Sequence, residues 1–140
     1  MIMDTPTKIL VVEDSSRARH ALMAYISLQA GMRITAEASN GLDAINKIKS
    51  SPPDVVIMDM QMPVMDGLIA TRIIKKHWPQ IKVIALTMYR NYKPEALLAG
   101  ADAFLVKGCP TAELISTVYS LCNKNSTDNP QRQTHGETHI

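Results

Sequence analysis

Val55-Val-Ile-Met58 is an unbroken apolar run that stops at Asp59, and Asp59-Met-Gln-Met-Pro-Val-Met-Asp-Gly67 follows it before a helical pattern begins. Four apolar residues in a row, without alternation, mark a strand covered on both faces, as in a parallel sheet. Working outward, Ile9-Leu-Val-Val12, Val83-Ile-Ala-Leu86 and Ala103-Phe-Leu-Val106 read the same way. Arg33 to Ser39 differs. Ile34, Ala36 and Ala38 alternate there with Arg33, Thr35, Glu37 and Ser39, which predicts a half-buried edge strand with those three residues on one face.

Helical spacing fills the gaps. Ser15 to Gln29 puts Ala18, Leu22, Tyr25, Ile26 and Gln29 on one stripe. Gly41 to Lys49 carries Leu42, Ala44, Ile45 and Ile48, and Gly67 to His77 carries Leu68, Ile69, Ile73 and Ile74. Asn91 to Ala99 is the weakest of the set. Thr111 to Cys122 carries Leu114, Ile115, Val118, Leu121 and Cys122, with Pro110 where a first helical turn accepts it. The order is (βα)5, an α/β class: a doubly wound five-stranded parallel sheet with right-handed crossovers and helices on both faces. The expected organisation is an N-terminal tail over 1–7, one domain over 8–123, and a polar tail or linker over 124–140.

Bulk properties exclude several function classes. Hydrophobic residues make up 46% of the 140, enough for one real core. A net charge of +2, evenly spread, does not argue for direct nucleic-acid binding by this chain. No apolar run reaches the ~20 residues of a membrane-spanning helix. Met1 to Lys8 lacks the basic-then-apolar order of a signal peptide. Two cysteines, Cys109 and Cys122, make neither a disulfide framework nor a zinc site. A reduced, cytoplasmic protein with no membrane contact is expected.

Each buried strand ends in an abrupt polar residue: Glu13-Asp14, Asp59, Thr87 and Lys107. In an open parallel sheet the carboxyl ends of the strands share one edge, and ligands bind there where the strand order reverses. Three carboxylates, one hydroxyl and one ammonium should therefore converge. Three close carboxylates repel, and one lysine does not neutralise them. A hard divalent cation does, and Mg2+ takes carboxylates, waters and phosphate oxygens. Glu13, Asp14 and Asp59 are thus candidate Mg2+ ligands. Asp59 is the candidate phosphoryl nucleophile, with Lys107 and Thr87 stabilising the phosphoryl oxygens. Each residue also has a bland reading. Glu13 and Asp14 could cap the first helix, Asp59 could open a turn, Thr87 could cap a helix and Lys107 could be surface charge. Their joint occurrence at strand ends argues against that.

With these residues assembled, the chain resembles the response-regulator receiver domain of two-component signalling over about Lys8 to Cys122. Asp59-Met-Gln-Met-Pro-Val-Met-Asp-Gly67 fits the family's D-x-x-M-P-x-M-D-G loop, and Glu13-Asp14, Thr87 and Lys107 complete the pattern. Ala99-Gly-Ala-Asp-Ala-Phe-Leu-Val-Lys107 is most similar to receivers attached to LuxR-type helix-turn-helix domains. The resemblance implies a flavodoxin-like fold with strand order 2-1-3-4-5. It implies Asp59 as phosphoacceptor, and Glu13, Asp14, Asp59 and the backbone carbonyl of Gln61 as Mg2+ ligands. Lys107 would contact the phosphoryl group, Thr87 would be the switch hydroxyl, and Phe104 would stand at the aromatic switch position. A core phenylalanine in the fifth strand is an equal reading of Phe104. Gly108 follows Lys107 where many members have proline.

Implied partners are a sensor histidine kinase and a second copy, through the face of the fourth helix, fifth strand and fifth helix. That face would include Ala96, Leu97, Phe104 and residues along Thr111 to Cys122. The output would be transcription control, and the chain would be no enzyme beyond its own phosphorylation and dephosphorylation. A stand-alone receiver acting by protein–protein interaction is the alternative. A haloacid-dehalogenase-type phosphatase would need a second Asp two residues after the nucleophile, where Gln61 stands. A nucleotide or flavin binder would need a glycine-rich loop after the first strand, where Glu13-Asp-Ser-Ser16 stands. His20, His77, His135 and His139 share no metal-ligand spacing. Met58, Met60, Met62 and Met65 read as packing.

Overall fold

In the computed structural model, which describes residues 5–122, the apolar runs form one five-stranded parallel sheet. The elements are β1 (Thr7–Val12), α1 (Ser16–Ser27), β2 (Met32–Ala38), α2 (Gly41–Ser50), β3 (Val55–Met58), α3 (Gly67–His77), β4 (Lys82–Thr87), α4 (Lys93–Ala99), β5 (Ala103–Val106) and α5 (Thr111–Cys122). The strand order is β2-β1-β3-β4-β5, all parallel, the order the resemblance implied. The tail expected over 124–140 lies outside the described residues.

Neighbouring residues in each strand point to opposite faces. Leu10, Val12, Val56, Met58, Val83 and Ala85 pack with α2, α3 and α4 through Ile48, Ile74 and Ala96. Ile9, Val11, Val55, Ile57 and Ile84 pack with α1 and α5 through Ile26, Leu114 and Val118. Both faces of the sheet are covered, so the strands read as continuous apolar runs. Each Val, Leu, Ile or Met side chain so buried stabilises the fold by about 1.5–3 kcal/mol relative to exposure. Local signals start the helices. Ser15, Asn40 and Asp66 are N-caps whose side chains accept from Ala18, Asp43 and Ile69 N–H groups, satisfying donors that a helix start leaves over.

Several expectations need correction. In β2 the pairing slips by one residue: Ile9 pairs with Ile34, but Leu10 pairs with Ala36. Thr35 is the extra residue of a β-bulge, which reverses the face of the residues after it. Ile34 therefore joins the α1/α5 side, while Ala36 and Ala38 join the other. In α1 only Ile26 is fully buried, and Ala18 is exposed near the helix start. Leu42 and Ile69 are 47% and 44% exposed, because α2 and α3 bury Ala44, Ile45 and Ile48, and Ala70, Thr71 and Ile74, instead. The fourth helix begins at Lys93, after a 3-10 turn over Arg90–Tyr92. Ala96 faces the core at 0% exposed, so α4 presents Leu97 and Leu98 to solvent in its place.

At the amino-terminal edge of the sheet, one lysine ties four segments together. Lys75 Nζ donates to the carbonyls of Pro79 (3.1 Å) and Ile81 (2.8 Å) and to Asp102 Oδ2 (2.9 Å). The same carboxylate oxygen accepts the Val83 N–H at 2.9 Å. Removing the carboxylate leaves a half-buried ammonium and a backbone donor without their acceptor. Asp102→Ala is expected to destabilise the domain by about 2–3 kcal/mol, read as a lower urea midpoint with an unchanged slope.

Candidate functional site

The parallel ladder continues past the strand ends and sets the candidate residues side by side. Glu13 N–H donates to the Ala38 carbonyl (3.0 Å), Asp59 N–H to Val12 (3.1 Å), and Lys107 N–H to Thr87 (2.7 Å). Residues distant in sequence meet there because each lies just beyond, or at the last position of, a buried strand. Glu13 and Asp59 are nearly buried, at 5% and 7% exposed. Asp14 is exposed.

The Lys107 ammonium lies between the two buried carboxylates, 2.8 Å from Asp59 Oδ2 and 2.5 Å from Glu13 Oε1. The other carboxylate oxygens take backbone donors. Asp59 Oδ1 accepts the Gln61 N–H at 3.1 Å, and Glu13 Oε2 accepts the Ser15 N–H at 3.0 Å. Burial opposes the charge on Lys107, and the hydrogen bonds to Asp59 and Glu13 outweigh it, so its pKa lies above the ordinary lysine value. The stabilisation from this pairing is therefore complete below that ordinary value. It is lost only as pH rises through the higher folded-state value, so the ammonium is charged at neutral pH.

One oxygen from each of Glu13, Asp14 and Asp59 lies within 4.8 Å of the others. A single ammonium leaves negative charge in this cluster uncompensated. An all-oxygen donor set with excess negative charge suits a hard divalent cation such as Mg2+. The five strand-end residues named from sequence thus share one edge, but not one contact network. Glu13, Asp59 and Lys107 are bonded together. Thr87 is fully buried, and its hydroxyl has a long contact to the Tyr89 N–H at 3.5 Å. Phe104 is half-buried in β5, packed against the α2/α3/α4 side and beside a cleft lined by Arg90, Lys93, Val106 and Glu113. The Lys107–Gly108 peptide is trans, and Gly108 has φ 95°, a left-handed conformation that glycine adopts without strain.

Arg19 belongs to the site and was not visible in the sequence. Its Nη1 donates to the Glu13 carbonyl at 2.9 Å and its Nε to Glu37 Oε1 at 2.6 Å. The hydrogen bond from Arg19 holds the Glu37 carboxyl below its ordinary pKa. This ties the backbone beneath the acidic pair to β2. No spacing rule links Arg19 with Glu37, because the contact depends on how α1 crosses β2.

Residues 9–119 match the family model described as the response regulator receiver domain, and the chain belongs to that family. It is 34% identical over 123 residues to response regulator protein VraR of Staphylococcus saprophyticus, across 86% of this chain and 59% of that protein. It therefore spans about three fifths of the length of such curated relatives. Among solved structures, a DNA-binding response regulator of the LuxR family from Staphylococcus aureus is 34% identical, with a TM-score of 0.78 over 82% of this chain and 98% of that one. A chain of the CheX-CheY-BeF3-Mg+2 complex from Borrelia burgdorferi is 28% identical, with a TM-score of 0.76 over 84% of this chain and 90% of that one.

The turn after Asp59 has no room for a side chain at Gly67. A Cβ there would lie 2.1 Å from the Asp59 carbonyl oxygen and 2.8 Å from the Met60 Cα, both backbone atoms. Gly67→Ala is expected to destabilise the fold by about 2–3 kcal/mol through forced backbone displacement. A thermal melt checks this, and an unchanged midpoint would refute it.

Proposed function

We propose that this chain is the phosphoacceptor domain of a two-component system, with Asp59 receiving the phosphoryl group from a phosphohistidine of a sensor kinase. The observation that carries this reading is the Asp59 carboxylate itself. It is nearly buried at the end of a central strand, held by Lys107 and flanked by Glu13 and Asp14. In the transfer, an Asp59 oxygen attacks phosphorus, the P–N bond to the donor imidazole breaks, and the imidazole leaves with its electron pair. Glu13, Asp14, Asp59 and the Gln61 carbonyl would hold Mg2+, which supplies positive charge to the phosphoryl oxygens. Lys107 stands 2.8 Å from Asp59, within reach of a phosphoryl oxygen once Asp59 carries the acyl phosphate. The Gln61 N–H steadies the nucleophile through Asp59 Oδ1. Gln61 has no carboxyl with which to act as the general acid of a phosphatase.

The switch reading rests on Thr87. Its hydroxyl makes a long contact at 3.5 Å, so little is lost when it turns towards a phosphoryl oxygen. Phe104 then occupies the vacated space, and the face of α4, β5 and α5 changes shape. This is a two-state element biased by new contacts. Through that face the chain would pair with a second copy. A DNA-binding domain elsewhere in the protein would provide transcription control in the cytoplasm, with this domain making no contact to nucleic acid. Among the described residues no helix is long and apolar enough to cross a membrane.

Incubation with acetyl phosphate and Mg2+ should add one phosphoryl group to the wild type by intact mass and none to Asp59→Asn. Phosphorylation of that variant would overturn the assignment. Thr87→Ala should still accept a beryllofluoride phosphoryl mimic, yet lose the NMR shift changes across Ala96 to Val106 seen in wild type. Identical shifts in both proteins would show that the hydroxyl is not the switch.

A further inference from the structure

The loop from Asp59 to Asp66 is held in a conformation that its sequence resists. Val64 has φ 70° and is 77% exposed. For a β-branched residue this left-handed backbone is a genuine outlier. Val64 is the centre of a three-residue turn closed by the Met65 N–H on the Pro63 carbonyl at 2.8 Å. A turn of this hand is rare and strained. Such a residue persists only where its surroundings over-determine it. An exposed valine side chain does not provide that support.

The support comes from α2. The Gly41 N–H donates to the Met65 carbonyl at 2.8 Å. It is one of the donors that a helix start leaves over. The Asn40 cap is spent on Asp43 N–H, which leaves Gly41 N–H for the loop. The approach is as close as a bare α-carbon permits. A Cβ on Gly41 would lie 2.7 Å from the Met65 carbonyl oxygen and 2.9 Å from the Ala70 Cβ. At its other end the loop is tied by Gln61 N–H to Asp59 Oδ1 and by Gly67 N–H to the Met60 carbonyl.

We infer that Gly41 is a positioning residue for phosphoryl transfer. Its N–H and missing side chain pin Met65, keep the strained turn at Val64, and so fix where Gln61 and Asp59 stand. Gly41 touches none of the reacting atoms and acts through the loop. The inference rests on the functional reading above, since it assumes that Gln61 and Asp59 face a metal ion.

Calorimetric Mg2+ titration of wild type, Gly41→Ala and Ile48→Val tests it. Ile48 is buried in the same helix and serves as the control for lost stability alone. Gly41→Ala should bind Mg2+ about tenfold more weakly, the scale seen when a residue supporting a metal ligand is lost. Ile48→Val should bind like wild type. Phosphorylation of Gly41→Ala by acetyl phosphate should recover towards the wild-type rate at saturating Mg2+. Wild-type Mg2+ affinity in folded Gly41→Ala would overturn the inference and leave the functional reading intact. Failure of the wild type to bind Mg2+ would overturn both. Should Gly41→Ala not fold, hydrogen exchange in the wild type decides. Mg2+ with beryllofluoride should slow exchange of the Gly41 amide and leave that of Trp78, bonded to the Ile74 carbonyl at 2.7 Å, unchanged. An unaffected Gly41 amide would overturn the proposal.

Discussion

The ammonium of Lys107 between Asp59 and Glu13 is the contact on which the functional end of this molecule depends. Parallel pairing of β1, β3, β4 and β5 forces acidic strand ends together whatever their charge. Carboxylates so placed repel, and bringing them out of water adds a desolvation penalty. One lysine contributed by a distant strand offsets part of both. A buried ion pair of this kind is weak evidence for stability. Here it holds charge in an arrangement that an apolar core would not tolerate. The stability comes from elsewhere, from two apolar layers and from clasps such as Lys75 with Asp102 at the opposite edge.

This division of labour explains why some features were legible in the sequence and others were not. Strands buried on both faces announce themselves as unbroken apolar runs. Their order along the chain, alternating with helices, leaves few topologies, and the family resemblance named one. Glu13, Asp59 and Lys107 were legible because a charged residue directly after such a run has only the sheet edge to occupy. The hidden features depended on pairing between segments. The slip at Thr35 is a property of β2 against β1, and single-strand alternation carries no trace of it. The same holds for Arg19 and Glu37, which meet only after α1 has packed. The wrong faces assigned to Leu42, Ile69 and Ala96 have a related cause. Apolar residues cover more than one side of each of these helices, and packing against the sheet decides which side is buried.

The two glycines around the site are required for different reasons. Gly67 is required because the backbone of Asp59 and Met60 passes where its side chain would be. Gly108 turns the chain left-handed after Lys107. The first role answers a steric demand of the residues that surround Asp59, and the second answers a backbone angle that a side chain would strain.

The bulge at Thr35 bears on how this molecule meets others. A sheet with two open sides offers unpaired backbone groups that invite another strand to add on. One side here is β2, broken in register at Thr35 and carrying the charged Arg33 and Glu37. The other is β5, a strand of only four residues. A broken, charged border and a short one both discourage strand addition. Sheet-to-sheet continuation is thereby disfavoured as a mode of assembly, which shifts recognition towards helices and the loops at the strand ends, where shape can respond to chemistry.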